Sequence, residues 1–188
     1  MAVTATNLVQ GPATLYYGDF QATEPDDTAV NSTPQASAWS DVGGTQDGVT
    51  LTIDQSYSEL DVDQIVDRVG SRLTKRDFTI KTSLAEPTLA NLTLVTNGGT
   101  TATGAGYATW EPSFASSATQ PDYKALLFDG WAPGGANIRR AIIRKVLSTD
   151  AVDIGYTKDK QTLFAVTWSG HYVSESIAPV HIVDQTAA

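Results

Sequence analysis

The chain contains no cysteine. Disulfide frameworks, thiolate metal sites and cysteine nucleophiles are therefore excluded together. Histidine is almost as scarce. His171 and His181 are the only two, so a three-histidine zinc centre is impossible, and no H-E-x-x-H pattern exists. No stretch approaches the ~20 apolar residues that a spanning helix requires. The opening MAVTATNLVQGPATLYYGDF has no basic segment leading into an apolar one, so no signal peptide is expected. Without one, the glycosylation-type triplets at Asn31 and Asn91 read as chance matches. NGGTTATGAG is rich in glycine, but no G-K-[ST] follows, which excludes a P-loop. G-x-S-x-G is absent too. His171 sits in WSGHYV, inside a strand-like pattern, and reads as a satisfied core or edge histidine, not the base of a nucleophilic triad.

Positive charge is missing from the first third. From Met1 to Asp67 there are eleven Asp and Glu and no Lys or Arg; all twelve basic residues follow, against ten acids. The first third thus carries −11 and the rest +2, giving the net −9. Either surface composition drifts along the chain, or a negative surface meets a positive one on another copy, which would favour one register of association. Tight nucleic-acid binding is disfavoured, because it requires clustered Lys and Arg on a basic domain.

What is present suits one folded domain. The 188 residues are 41% hydrophobic and include four Trp, enough to bury a core. ATLYYGDF (13–20) reads as a first strand. Residues 21–40 are polar, contain two prolines and show no period, so a loop or insertion is expected there. DGVTLTID alternates, with Val49, Leu51 and Ile53 on one face. DFTIKTSL does the same with Phe78, Ile80 and Leu84. This period of two marks half-buried antiparallel strands. They would ordinarily close through two to five residues, yet residues 55–76 lie between them.

That excursion carries Glu59, Asp61, Asp63 and Asp67 and then Arg68, Arg72 and Arg76. SELDVD alternates within it, so an extended pair of arms projecting from the body is expected. Leu60, Val62, Ile65 and Val69 would then need burial against another subunit. A calcium loop starting at Asp61 would need Gly at its sixth position and Glu at its twelfth; Val66 and Arg72 stand there, and the match fails.

Further on, EPTLANLTLV (86–95) is the best helix, with Pro87 in its first turn, and the glycine-rich stretch after it ends it. Short strands are expected in YATWEPSF, DYKALLFDGWAP, QTLFAVTWSGHYV and PVHIVDQ. NIRRAIIRKVLST (137–149) is balanced between a helical stripe and a strand with a basic face. Its Arg139, Arg140, Arg144 and Lys145 read better as a salt-bridging surface for the acidic third than as a nucleic-acid site. The total is seven or eight strands and one helix: a mainly β fold of two packed antiparallel sheets, sandwich or barrel, with a flanking helix and a long protruding loop.

The order of these features, GGTQDGVTLTID, then RVGSRLTKRDFTIKTSLAEPTLANL, then IRRAIIRKVLSTDAVDIGYTKDKQTLFAVTWSGHYV, closely resembles the major tail tube proteins of long non-contractile-tailed bacteriophages (siphoviruses). The resemblance covers roughly residues 40–184. It implies one tail-tube domain over 1–188, without the immunoglobulin-like module of some members, and it favours the strand reading of 137–149. It further implies hexameric rings stacked around a lumen, with residues 55–76 as a stacking loop. Tyr57, Glu59, Asp61, Asp63, Asp67, Arg68, Arg72 and Arg76 would then make the contacts between subunits and rings. The implied partners are other copies of the chain, a tape measure protein, tail terminator and distal tail proteins, and genomic DNA passing through without specific binding. No cofactor, no metal, no catalysis and no membrane partner are implied, and the place is the virion tail, assembled in the host cytoplasm. A related tube, such as that of a type VI secretion system or tailocin, is a near neighbour. The competing reading is a soluble β-sandwich module binding carbohydrate or protein, with Trp39, Trp110 and Trp131 available to stack on sugars.

Overall fold

The computed structural model describes residues 3–114, 116 and 118–186. Ten strands and one α-helix follow one another in this region: β1 (Thr14–Asp19), β2 (Ser40–Asp41), β3 (Thr45–Val62), β4 (Ile65–Leu84), α1 (Leu89–Val95), β5 (Thr100–Gly104), β6 (Tyr107–Glu111), β7 (Lys124–Trp131), β8 (Ile138–Ser148), β9 (Phe164–Gly170) and β10 (Val180–Asp184). The fold is mainly β with one helix, as the sequence implies. Eight strands form one large antiparallel sheet in the order β2-β1-β7-β8-β9-β4-β3, with β10 also paired to β8. The second sheet is only the β5–β6 hairpin.

The main core lies on one face of the large sheet. Leu15, Ile80, Leu84, Leu126, Ile143, Val146, Phe164, Val166 and Trp168 are buried there under Leu92, Leu94 and Val95 of α1. Truncating a side chain such as Trp168 to alanine would cost about 3–5 kcal/mol. The other face is not left bare. Residues 21–40 fold over it and bury Trp39 against Ala125, Leu127 and Ile142, with the indole Nε1 donating to Thr23 O at 2.9 Å. Gly18 permits this close approach, since a Cβ there would stand 2.6 Å from Ala38 O.

Covering both faces explains why 138–148 resists a sequence reading. It is a strand, but Ile142 packs on one side and Ile143 and Val146 on the other. Apolar residues therefore lose their period of two. Helix α1 begins at Leu89, later than the expected Glu86, because Thr88 is the N-cap and accepts from Asn91 N at 3.1 Å. Asn97 follows the helix at φ 55°, a conformation open to Asn beyond a helix end. Its side chain then pairs with Ser148 through two 2.7 Å hydrogen bonds. The glycine-rich stretch expected only to break the helix also supplies β5, a strand of small residues with nothing apolar larger than Ala102 to betray it.

Candidate assembly surface

The excursion at 55–76, expected as a long loop with an extended pair of arms, is a continuous β-ribbon. β3 and β4 are 18 and 20 residues long and stay paired from Thr45↔Leu84 out to Val62↔Ile65. Only the inner part is anchored: β4 pairs with β9 from Thr79↔Ser169 to Leu84↔Phe164. Beyond Thr79 no other strand among the described residues pairs with these two. From Ile53 to Val62 the ribbon extends about 30 Å at the usual strand rise.

Register decides the faces of this ribbon. Leu51↔Ile80 and Ile53↔Phe78 lie on the side facing the core. The ladder shifts between Ser56↔Lys75 and Tyr57↔Leu73, leaving Thr74 as the extra residue, and its hydroxyl donates to Ser56 O at 3.0 Å. This bulge puts Leu73 on the same side as Tyr57. The core face thus runs outward as an exposed apolar stripe of Ile53, Tyr57 and Leu73, while the opposite side carries Ser56, Ser58, Arg72, Lys75 and Asp77. Leu60, Val62, Ile65, Val66 and Val69 are exposed near the tip, Val66 completely.

All eight residues expected to make contacts fall on the ribbon. Arg68 donates to Glu59 in an exposed ion pair. Tyr57 donates its hydroxyl to Gln55 Oε1 at 2.6 Å. Arg72 lies opposite Ser58 and Arg76 opposite Gln55. Asp63 is in the turn between the strands. Asp61, Asp63, Asp67, Arg72 and Arg76 have no ion-pair partner among the described residues. Lys75 pairs with Asp77 at 2.6 Å, and this hydrogen bond holds its ammonium above the usual lysine range.

Elsewhere several charges are paired within the chain. Arg144 pairs with Glu24 at 2.5 Å, Lys124 with Asp19 at 2.8 Å and Arg139 with Asp184 at 2.6 Å. Arg140 is buried and bonded to Asp129 and to carbonyls of the 21–40 segment. The basic strand therefore does hold part of the acidic third, but in its own molecule. Five charges without an ion-pair partner among the described residues, Asp61, Asp63, Asp67, Arg72 and Arg76, lie together on the ribbon.

Two features bear on the competing readings. Trp39 is buried and offers no face to a sugar; Trp110 is half-buried, packed against the core with its Nε1 enclosed, and Trp131 is the most exposed of the three. His171 Nδ1 donates to Ser169 O at 2.9 Å and the ring meets Tyr123 edge-on, a structural setting in which no serine hydroxyl among the described residues bonds to it. His181 pairs with Asp27 at 2.9 Å.

The family model for phage tail tube proteins matches residues 2–176. The chain belongs to this family. Its role is that of a structural tail tube component of the virion, which is not an enzyme class. No curated relative matches the chain. No helix among the described residues is long and apolar enough to cross a membrane.

Proposed function

We propose that this tail tube protein polymerises into rings, six copies to a ring, that stack into a hollow tube conducting phage DNA to the host. The observation that carries the stacking is the β3–β4 ribbon, which holds exposed valine, leucine, isoleucine and tyrosine side chains along an arm whose tip lies about 30 Å from Ile53. An isolated two-stranded ribbon is marginal in water, and apolar surface of this kind calls for a partner. Tyr57, Glu59, Asp61, Asp63, Asp67, Arg68, Arg72 and Arg76 make the contacts between copies, with charges of both signs fixing register.

Ring closure has its own support. The large sheet ends in β3 on one side and in β1 with the two-residue β2 on the other. Sheet edges pair readily through unsatisfied backbone groups, and head-to-tail contacts that close by rotation make rings. The number six rests on the siphovirus resemblance. So do the tape measure, tail terminator and distal tail proteins as partners, and assembly in the host cytoplasm. A net charge of −9 suits a wall past which phosphate slides without sticking.

Negative-stain electron microscopy over a concentration series, with and without preformed tail fragments as seeds, tests this. Hollow tubes or stacked rings are expected. Uniform single particles in every sample would overturn it.

A further inference from the structure

The proposed stacking leaves open where the tip of the ribbon goes. The ribbon is electrically lopsided along its length. Its outer part carries Glu59, Asp61, Asp63 and Asp67 against Arg68 alone, a net −3; its base carries Arg72, Lys75 and Arg76 against Asp54 and Asp77, a net +1. The outer part is also the more apolar, with Leu60, Val62, Ile65, Val66 and Val69 exposed. Its counterpart should be an apolar groove with a free cation.

One such groove exists at the foot of the ribbon itself. β9 and β10 follow one another along β8, with Val146 opposite Gly170 and Ile143 opposite Val180. β4 is paired to β9 but leaves it at Thr79, before β10 begins. An open groove of about 410 Å³ results, lined by Ile53, Phe78 and Arg76 on the ribbon and by Pro179, Val180 and Ile182 on the other side. Arg144 N donates to Pro179 O and Gln185 N to Ile138 O. This phase turns the backbone groups of Val180, Ile182 and Asp184 away from β8, toward an edge that pairs with no strand. The groove thus combines an apolar floor, an unpaired strand edge and an unpartnered guanidinium.

We infer that the acidic, apolar tip of one copy's ribbon docks in the groove between β10 and the ribbon base of a second copy. This rests on the proposed stacking role and names its acceptor. Val66 and its neighbours cover Ile53, Phe78 and Ile182; Asp61, Asp63 and Asp67 approach Arg76 of the receiving copy; backbone groups of the tip reach the free edge of β10. Donor and acceptor occupy opposite ends of the same ribbon, so the contact is head-to-tail and repeats along an axis. Ribbon length then sets the spacing between successive layers.

The cysteine-free chain allows a direct test. Val66→Cys and Ile182→Cys are introduced together at two exposed positions, tubes are grown under reducing conditions, and the sample is then oxidised. A disulfide needs Cβ atoms about 4 Å apart, and within one chain the ribbon holds these residues far beyond that. The expected result is a denaturing-gel ladder of dimers and higher multimers, with loss of the monomer band, from tubes but not from dilute monomer. Adding Arg76→Glu should lower the ladder yield several-fold. Tubes that oxidise without a ladder, or that give one with Val66→Cys/Ile177→Cys instead, would overturn this acceptor and leave the stacking role standing. Failure of the unsubstituted chain to assemble even when seeded would overturn both.

Discussion

Arg140 and Asp129 sit directly opposite each other on β8 and β7 and form a two-pronged ion pair, Nε to Oδ1 at 2.7 Å and Nη2 to Oδ2 at 2.6 Å. The same guanidinium donates to Ser32 O at 2.7 Å and to Ala29 O at 3.4 Å. One buried side chain thus joins two strands to the segment that covers them. Arg suits this position because its planar fork can serve a carboxylate and carbonyls together.

Arg140→Met should therefore be among the most destabilising single changes. It leaves the Asp129 carboxylate largely enclosed without a counter-charge and frees two carbonyls, an expected cost of about 3 kcal/mol. Arg140→Met combined with Asp129→Leu should recover much of that loss, since a replaced pair costs less than a broken one. Urea unfolding of the monomer reads both. A loss below about 1 kcal/mol for the single variant would show that the pair does not anchor the 21–40 segment.

Excising the outer ribbon should separate folding from assembly. Tyr57 pairs with Leu73, so removing residues 58–70 leaves Ser71-Arg72 as a two-residue connection; replacing these with Asn-Gly matches a tight hairpin turn. None of the removed residues contributes to either core. Stability should stay within about 0.5 kcal/mol of the full chain, while tubes disappear. Normal tubes from this variant would sink the stacking role of the ribbon.

Salt should weaken assembly through the ribbon charges. Asp61, Asp63, Asp67, Arg72 and Arg76 are exposed and have no ion-pair partner among the described residues, whereas Asp19, Glu24 and Asp27 of the acidic first third are paired within the chain. The screening length falls from about 10 Å at 0.1 M salt to about 3 Å at 1 M. The critical concentration for polymerisation, followed by light scattering, should rise over that range. It should rise less for a variant with Asp61, Asp63 and Asp67 all changed to Asn. A curve unaffected by salt would remove electrostatics from the account.

The legible parts of the fold were those with one wet face. VTLTID and DFTIKTSL declare themselves because the inner parts of β3 and β4 have one buried side. The outer ribbon has water on both sides, so little enforces alternation; only SELDVD hinted at extended arms, and the bulge and the pairing of the two strands stayed hidden. β8 has protein on both sides, and Ile142 and Ile143 are adjacent for that reason. The charged residues of the proposed assembly surface stood out in the sequence, because their excess was unusual. Of its apolar members, Leu60, Val62, Ile65 and Val69 were legible as well, but Leu73 and Ile182 were not. Leu73 joins Tyr57 only through the bulge at Thr74, and Ile182 meets Ile53 only where β4 parts from β9.

Acid should loosen β10 before it unfolds the core. The Asp184 carboxylate accepts from Arg139 Nε and Nη2, both at 2.6 Å, and these hydrogen bonds hold its pKa below the ordinary value of 3.8. A lowered carboxylate pKa stabilises the fold above the unfolded-state value, and that contribution is lost as pH falls through the folded-state value. The window is thus pH 4 and below. The pair is exposed, so its contribution is small, and its loss frees the end of β10 where Asp184 faces Arg139. Amide exchange at Val183 and Gln185 should accelerate there ahead of Ile142 and Ile143, after correction for intrinsic rates. Asp184→Asn should show the same acceleration at neutral pH. Uniform protection along β8 and β10 through pH 3 would mean that backbone pairing alone holds this strand.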